Sequence, residues 1–156
     1  MRMLYLRVAP EDLAELERDP DVAALWFADR DDVLDLGNAW HAIHFLLNGS
    51  AWGGSAPLLD AVLGGQPIGD PSTYEPIRFV SPDEVAAVRG ALPRAEDLTL
   101  RFTHRALRQA EVYPDGAWDQ PDVLTALVLP AYSELTGLFA GAADAGDAVL
   151  ITLDRT

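Results

Sequence analysis

The sequence predicts an α+β fold: a single compact domain in which a mixed β-sheet, with N- and C-terminal strands, is packed by several helices. Three observations carry this. At 156 residues the chain has the length of one domain and can bury a sizeable core. β-rich runs stand at both ends (Met3 to Val8, Ala148 to Leu153) and in the middle (Ile77 to Val80). The intervening segments carry helical periodicity and cap signals instead of strand alternation.

The elements follow in order. After the opening strand, Pro10 stands where a helix can begin, because its missing N–H costs nothing there. The helix then runs to Arg18 with Leu13 and Leu16 turned inward and acids in its first turn. Asp19-Pro20-Asp21 ends it, and Val22 to Ala28 reads as a second short helix before the polar loop Asp29-Arg30-Asp31-Asp32. Asp35 is a plausible N-cap for a helix reaching Asn48 and closing on Gly49. On that helix Leu36, Ala39, Trp40, Ile43, Leu46 and Leu47 share one arc while Phe45 lies opposite, the pattern of a central core helix. A Gly/Ser/Pro loop carrying Trp52 follows, then one or two helical turns to Leu63, stopped by Gly64-Gly65. Residues 66–76 read as an irregular loop and Ile77 to Val80 as a short strand.

Ser81-Pro82-Asp83-Glu84 is the clearest local signal: Ser81 caps, Pro82 takes the first helical position, and Glu84 completes a capping box. That helix ends before Pro93. Leu98 to Phe102 reads as a strand and Thr103 to Arg108 as a short helix capped by Thr103. The longest helical pattern spans Pro121 to Ala143, with Leu124, Leu127, Val128, Ala131, Leu135, Leu138 and Phe139 on one face. Pro130 should kink or split it. Gly146 ends it, and Ala148 to Leu153 reads as a buried closing strand.

Composition excludes several functions. The net charge of −14 argues against nucleic acid and against anionic membranes. With no cysteine there is no disulfide, thiolate zinc site or cysteine nucleophile; with no lysine there is no Schiff-base chemistry. No secretory signal is visible and no run of about 18 apolar residues exists, so a cytoplasmic protein is the expectation. Charge is uneven: Arg89, Arg94, Arg101, Arg105 and Arg108 stand against only Glu96 and Asp97 in residues 89–108, which could dock an acidic ligand or pair within the molecule.

His41 and His44 sit three apart on the central helix, about 60° apart around its axis, where two imidazoles could serve a ligand, a base-and-partner pair or a metal. No glutamate lies between them and only His104 remains elsewhere, so no metal and no cofactor is expected; backbone-bonded structural imidazoles are the alternative. Arg78 is the lone basic residue between positions 31 and 88. On a strand, turned inward, it needs a carboxylate or a bound anion. Tyr74 stands beside it in sequence. Phosphate loops, nucleophile elbows and zinc-helix motifs are missing.

The run Leu34-Asp35-Leu36, then Ala39-Trp40-His41-Ala42-Ile43-His44-Phe45-Leu46-Leu47-Asn48-Gly49, resembles the hallmark LDLDKAWHALHFLLTG of the YfbM-like family, a domain of unknown function. Pro57-Leu58, Gly64-Gly65, Arg78-Phe79 before Ser81-Pro82-Asp83-Glu84-Val85, Tyr113-Pro114 with Trp118, and Ala142-Ala143 to Ala148-Val149-Leu150 extend the resemblance over nearly the whole chain. It implies a single-domain α+β fold of small, mostly bacterial cytosolic proteins and supplies no activity. Gly37-Asn38 replaces the usual Asp-Lys, and Pro130, Gly137 and Gly141 interrupt a final helix that is more regular in relatives. The functional expectation is a non-enzymatic binding or interaction module whose acidic surface favours a basic protein partner. The alternative is a small-molecule-binding protein or enzyme with a pocket at the His41/His44 helix, Trp40, Tyr74, Arg78 and Trp52 being the residues to line it.

Overall fold

The computed structural model describes residues 1–70 and 76–155. Five strands form one sheet: β1 (Arg2–Val8), β2 (Leu34–Asp35), β3 (Gln66–Ile68), β4 (Ile77–Val80) and β5 (Ala148–Asp154), in the order β2-β1-β5-β4-β3. The α+β class is the one the sequence implies, but each described pairing is antiparallel, so the sheet is not mixed. The two terminal strands lie side by side at its centre, with Tyr5 opposite Ile151 and Arg78 opposite Ile151 on the other flank.

Both faces are covered, which is why β5 reads as a continuous apolar run. Met3, Tyr5, Val80, Val149 and Ile151 enter the larger core under α3 (Trp40–Asn48), α4 (Pro82–Ala91) and α7 (Leu129–Ala145). Leu6, Val8, Ile77, Ala148 and Leu150 enter a smaller core under α1 (Leu13–Arg18) and α2 (Val22–Asp29). A central strand buried on both faces has no polar side to alternate with.

Two helices begin where their caps indicate. Ser81 and Glu84 form the reciprocal capping box of α4, and Thr103 accepts from the Ala106 N–H at the start of α6 (His104–Gln109). Other expectations are corrected. Leu98 to Phe102 is not a strand; it belongs to α5 (Ala95–Arg101) and its cap. Glu96 and Asp97 in the first turn and Arg101 in the last complement the helix dipole, and only Leu98 turns fully inward while Leu100 is 84% exposed. Asp35 is not a helix N-cap: it ends β2, accepts from the Gly37 N–H (2.7 Å) and pairs with Arg2, while α3 starts after a 3-10 turn over Gly37–Ala39. Residues 66–76 are not wholly irregular, since β3 occupies Gln66–Ile68. Pro67 is tolerated there because β3 is an edge strand.

Pro130 splits the long C-terminal helix. A π-helical turn over Leu124–Val128 precedes α7, where the proline sits in the first turn. This shift of phase brings Tyr132 and Ala142 inward with Val128, Leu135 and Phe139. Within the 22 residues Leu124–Ala145 an 18-residue window has mean hydropathy 1.2, long and apolar enough by length and composition to cross a bilayer. Here its apolar stripe packs on the sheet, Phe139 meeting Tyr5 edge-on at 6.4 Å.

The end of α6 carries the only non-glycine residue with positive φ among those described, Glu111 at 55°. The Val112 N–H closes back on the Leu107 carbonyl (3.1 Å), a Schellman cap with Glu111 in the left-handed position. Glycine carries no steric penalty there. Glu111→Gly should therefore raise the unfolding free energy by about 1 kcal/mol, read from urea midpoints at unchanged slope. A lower midpoint would show that the Glu111 side chain stabilises the turn.

Candidate functional site

The paired histidines are completely buried. Each is neutral and has both ring nitrogens engaged. The Tyr113 N–H donates to His41 Nδ1 (2.7 Å), which leaves Nε2–H to donate to the Ala51 carbonyl (2.7 Å). His44 Nε2–H donates to the Gly53 carbonyl (2.9 Å), and its Nδ1 accepts from the Asn48 amide at 3.3 Å. Burial holds both imidazoles below the usual histidine pKa, against the opposing pull of those carbonyls; for His44 the nearby Arg78 charge pushes the same way. These side chains tie the loop after α3 to the helix, on either side of Trp52. His104 lies elsewhere, bonded to the Trp118 carbonyl. Among the described residues no three His, Cys, Asp or Glu side chains converge where a metal could sit.

Beside this staple opens a cleft of about 330 Å³, lined by Met1, Met3, Trp40, Trp52, Leu63, Pro76, Arg78, Leu153 and Arg155. That is within the size range of small-molecule sites, about 300–1,000 Å³. The sheet supplies one wall through β1, β4 and β5, and α3 with its following loop supplies the other. Trp40 is 1% exposed; its ring stacks on His41 (4.9 Å between centroids) and on Tyr113 (5.8 Å). Trp52 covers the same cluster, 4.3 Å from the His41 ring and 6.2 Å from Trp40, yet remains 64% exposed.

Two arginines, Arg78 and Arg155, line the cleft, and Arg78 is the one set on the sheet. It shares a sheet face with Tyr5 and Ile151 because the three lie in register across β4, β5 and β1. Its guanidinium donates to the Gly64 carbonyl and makes a long contact to the Met3 sulfur (3.5 Å). Gly65 approaches the Arg78 Cβ and the Phe79 carbonyl with φ at +96°, a conformation and a closeness that suit only glycine. Among the described residues no carboxylate lies within ion-pair distance of Arg78. Burial lowers its pKa, opposed by the more distant Tyr5 and Asp60.

Of the residues singled out in the sequence, the cleft thus brings together Trp40, Trp52 and Arg78. His41 and His44 stand behind its wall and do not line it. Tyr74 lies outside the described residues. Asn48, Tyr113 and the apolar lining from both chain ends escaped the sequence reading; Asn48, one helical turn from His44, had a signal in its spacing, and the others had none. The arginines of residues 89–108 turn partly inward on their own molecule: Arg89 pairs with Asp144, Arg108 with Asp119 (2.9 Å), and Arg101 donates to the Leu46 carbonyl.

Comparisons with known proteins agree with this architecture. The crystal structure of a protein of unknown function, YfbM from Escherichia coli, superposes with a TM-score of 0.73 at 21% identity, covering 99% of this chain and 100% of that one. At that identity the likeness speaks for the fold alone. No curated protein matches the chain. The family model described as domain of unknown function DUF1877 matches residues 1–152. With nearly its whole length accounted for, including the Trp40–Asn48 helix and the strands at both ends, the chain belongs to the DUF1877 family, which is the YfbM-like family its helix motif resembles.

Proposed function

We propose that this protein binds a small organic anion in the cleft, the carboxylate or a similar group meeting Arg78. The observation that carries this reading is the placement of the Arg78 guanidinium: buried in a cleft whose lining is apolar apart from Arg78 and Arg155, with no described carboxylate at ion-pair distance, and with N–H groups beyond those used by Gly64 and Met3. A charge withdrawn from water without an opposite partner is costly, and an anionic ligand removes that cost on binding. Such charge-assisted bonds are worth about 1.5–3 kcal/mol, roughly 10- to 150-fold in affinity. The histidines support the same reading as scaffold, because their nitrogens are used by backbone groups and the Asn48 amide and are not offered to a ligand.

Calorimetric titration with phenylacetate and its uncharged analogue phenylacetamide tests the idea. Phenylacetate should bind at least about tenfold more tightly, and Arg78→Met should erase the difference. Equal binding of the two, or a preference that survives in Arg78→Met, rejects the reading. The expectation of a basic protein partner stays a second proposal, resting on the net charge of −14.

A further inference from the structure

The loop between α3 and the next helical turn holds a tryptophan in the open, and it does so with two buried histidines. Ala51 and Gly53, the neighbours of Trp52 on either side, each have their carbonyl bonded by an imidazole at 2.7 and 2.9 Å. The Gly53 N–H is in turn held by the Ser50 hydroxyl (3.0 Å). The backbone is thereby fixed at both bonds of the tryptophan, while its indole is 64% exposed. Stability alone would favour burying so large an apolar ring. Here the ring instead forms one wall of the cleft that contains Arg78, with its inner edge resting on His41 and Trp40. An aromatic wall held rigidly in place binds a flat ring without loss of its own freedom.

We infer that Trp52 is a specificity-determining residue that selects an aromatic ligand, the ring stacking on the indole. This rests on the anion-binding reading of the same cleft, and it narrows the ligand class from a small organic anion to an aromatic acid. Arg78 would recognise the charge and Trp52 the planarity, and the two demands are separable by choice of ligand.

The experiment is a calorimetric titration of the full chain with phenylacetate, cyclohexylacetate and phenylacetamide, in the parent and in Trp52→Leu and Trp52→Phe. Leucine keeps an apolar wall but has no π face. The parent should prefer phenylacetate over cyclohexylacetate by about fivefold, Trp52→Phe should keep most of that preference, and Trp52→Leu should abolish it. Cyclohexylacetate binding as tightly as phenylacetate in the parent, with phenylacetamide weak, overturns the role of Trp52 and leaves that of Arg78. Phenylacetamide binding as well as phenylacetate, with an aromatic preference lost in Trp52→Leu, supports the aromatic wall and removes the anion reading. Binding of none of the three by the folded protein overturns both. Because Trp52 is exposed, its substitutions should leave the thermal midpoint nearly unchanged, so a loss of preference is not a loss of fold.

Discussion

Trp40→Ala should cost about 3–5 kcal/mol of unfolding free energy, the range for removing a fully buried large aromatic. Trp40 is 1% exposed and sits where α3, the sheet and the following loop meet. Its ring is the shared surface on which His41, Tyr113 and Trp52 pack. The indole N–H also reaches the Met1 carbonyl (3.3 Å), so truncation leaves a void and unpairs a polar contact at once. Urea unfolding of the variant measures the loss, with Trp52→Leu as the exposed comparison at less than about 0.5 kcal/mol. A loss below about 1 kcal/mol in Trp40→Ala would mean that the cluster can collapse around the gap and does not hold the site together.

Acid should destabilise the fold through the buried histidines before the carboxylates titrate. Burial lowers the pKa of His41 and His44 in the folded chain, while unfolding returns each to an ordinary value near 6.5. Below that value the unfolded state binds protons that the folded state refuses. Stability is therefore fully present above about pH 6.5 and falls as pH drops toward the depressed folded values. The limiting slope is about 1.4 kcal/mol per pH unit for each histidine, and about twice that while both resist protonation. Geometry gives the same sign. Protonating His41 at Nδ1 would set a new N–H against the Tyr113 N–H that now donates to it. Asp60 works in the opposite sense, since burial raises its pKa, but it acts lower, in the carboxylate range. Urea midpoints between pH 7.5 and 5 should fall with acid in the parent. In His44→Gln the curve should be flatter by about one proton's worth of slope. A parent curve that is flat over this interval would rule out buried neutral imidazoles.

The local rules of the sequence were enough for much of this. The capping box at Ser81, the Thr103 cap and the glycine that closes α3 are satisfied by residues within a few positions of one another, so reading them needs no knowledge of the fold. The apolar encirclement of Trp40–Asn48 likewise announces a core helix whatever surrounds it. The misreading at Leu98–Phe102 has the converse cause: Leu-Thr-Leu-Arg-Phe alternates like a strand, yet the turn entering at Arg94 and the charges at its ends favour a helix.

By itself, then, the sequence determined the α+β class, most helix boundaries, the burial of the histidine helix and the exclusion of thiol and lysine chemistry. Only the tertiary structure decided the strand order, and with it the site. Met3, Arg78 and Leu153 lie far apart along the chain; they meet because β1, β5 and β4 are neighbours, and hydrogen-bond pairing between strands leaves no mark at a fixed spacing in sequence. The role of His41 was settled in the same way by Tyr113, 72 residues away: a buried imidazole takes its function from whatever polar group packing brings within about 3 Å, and here that group is backbone.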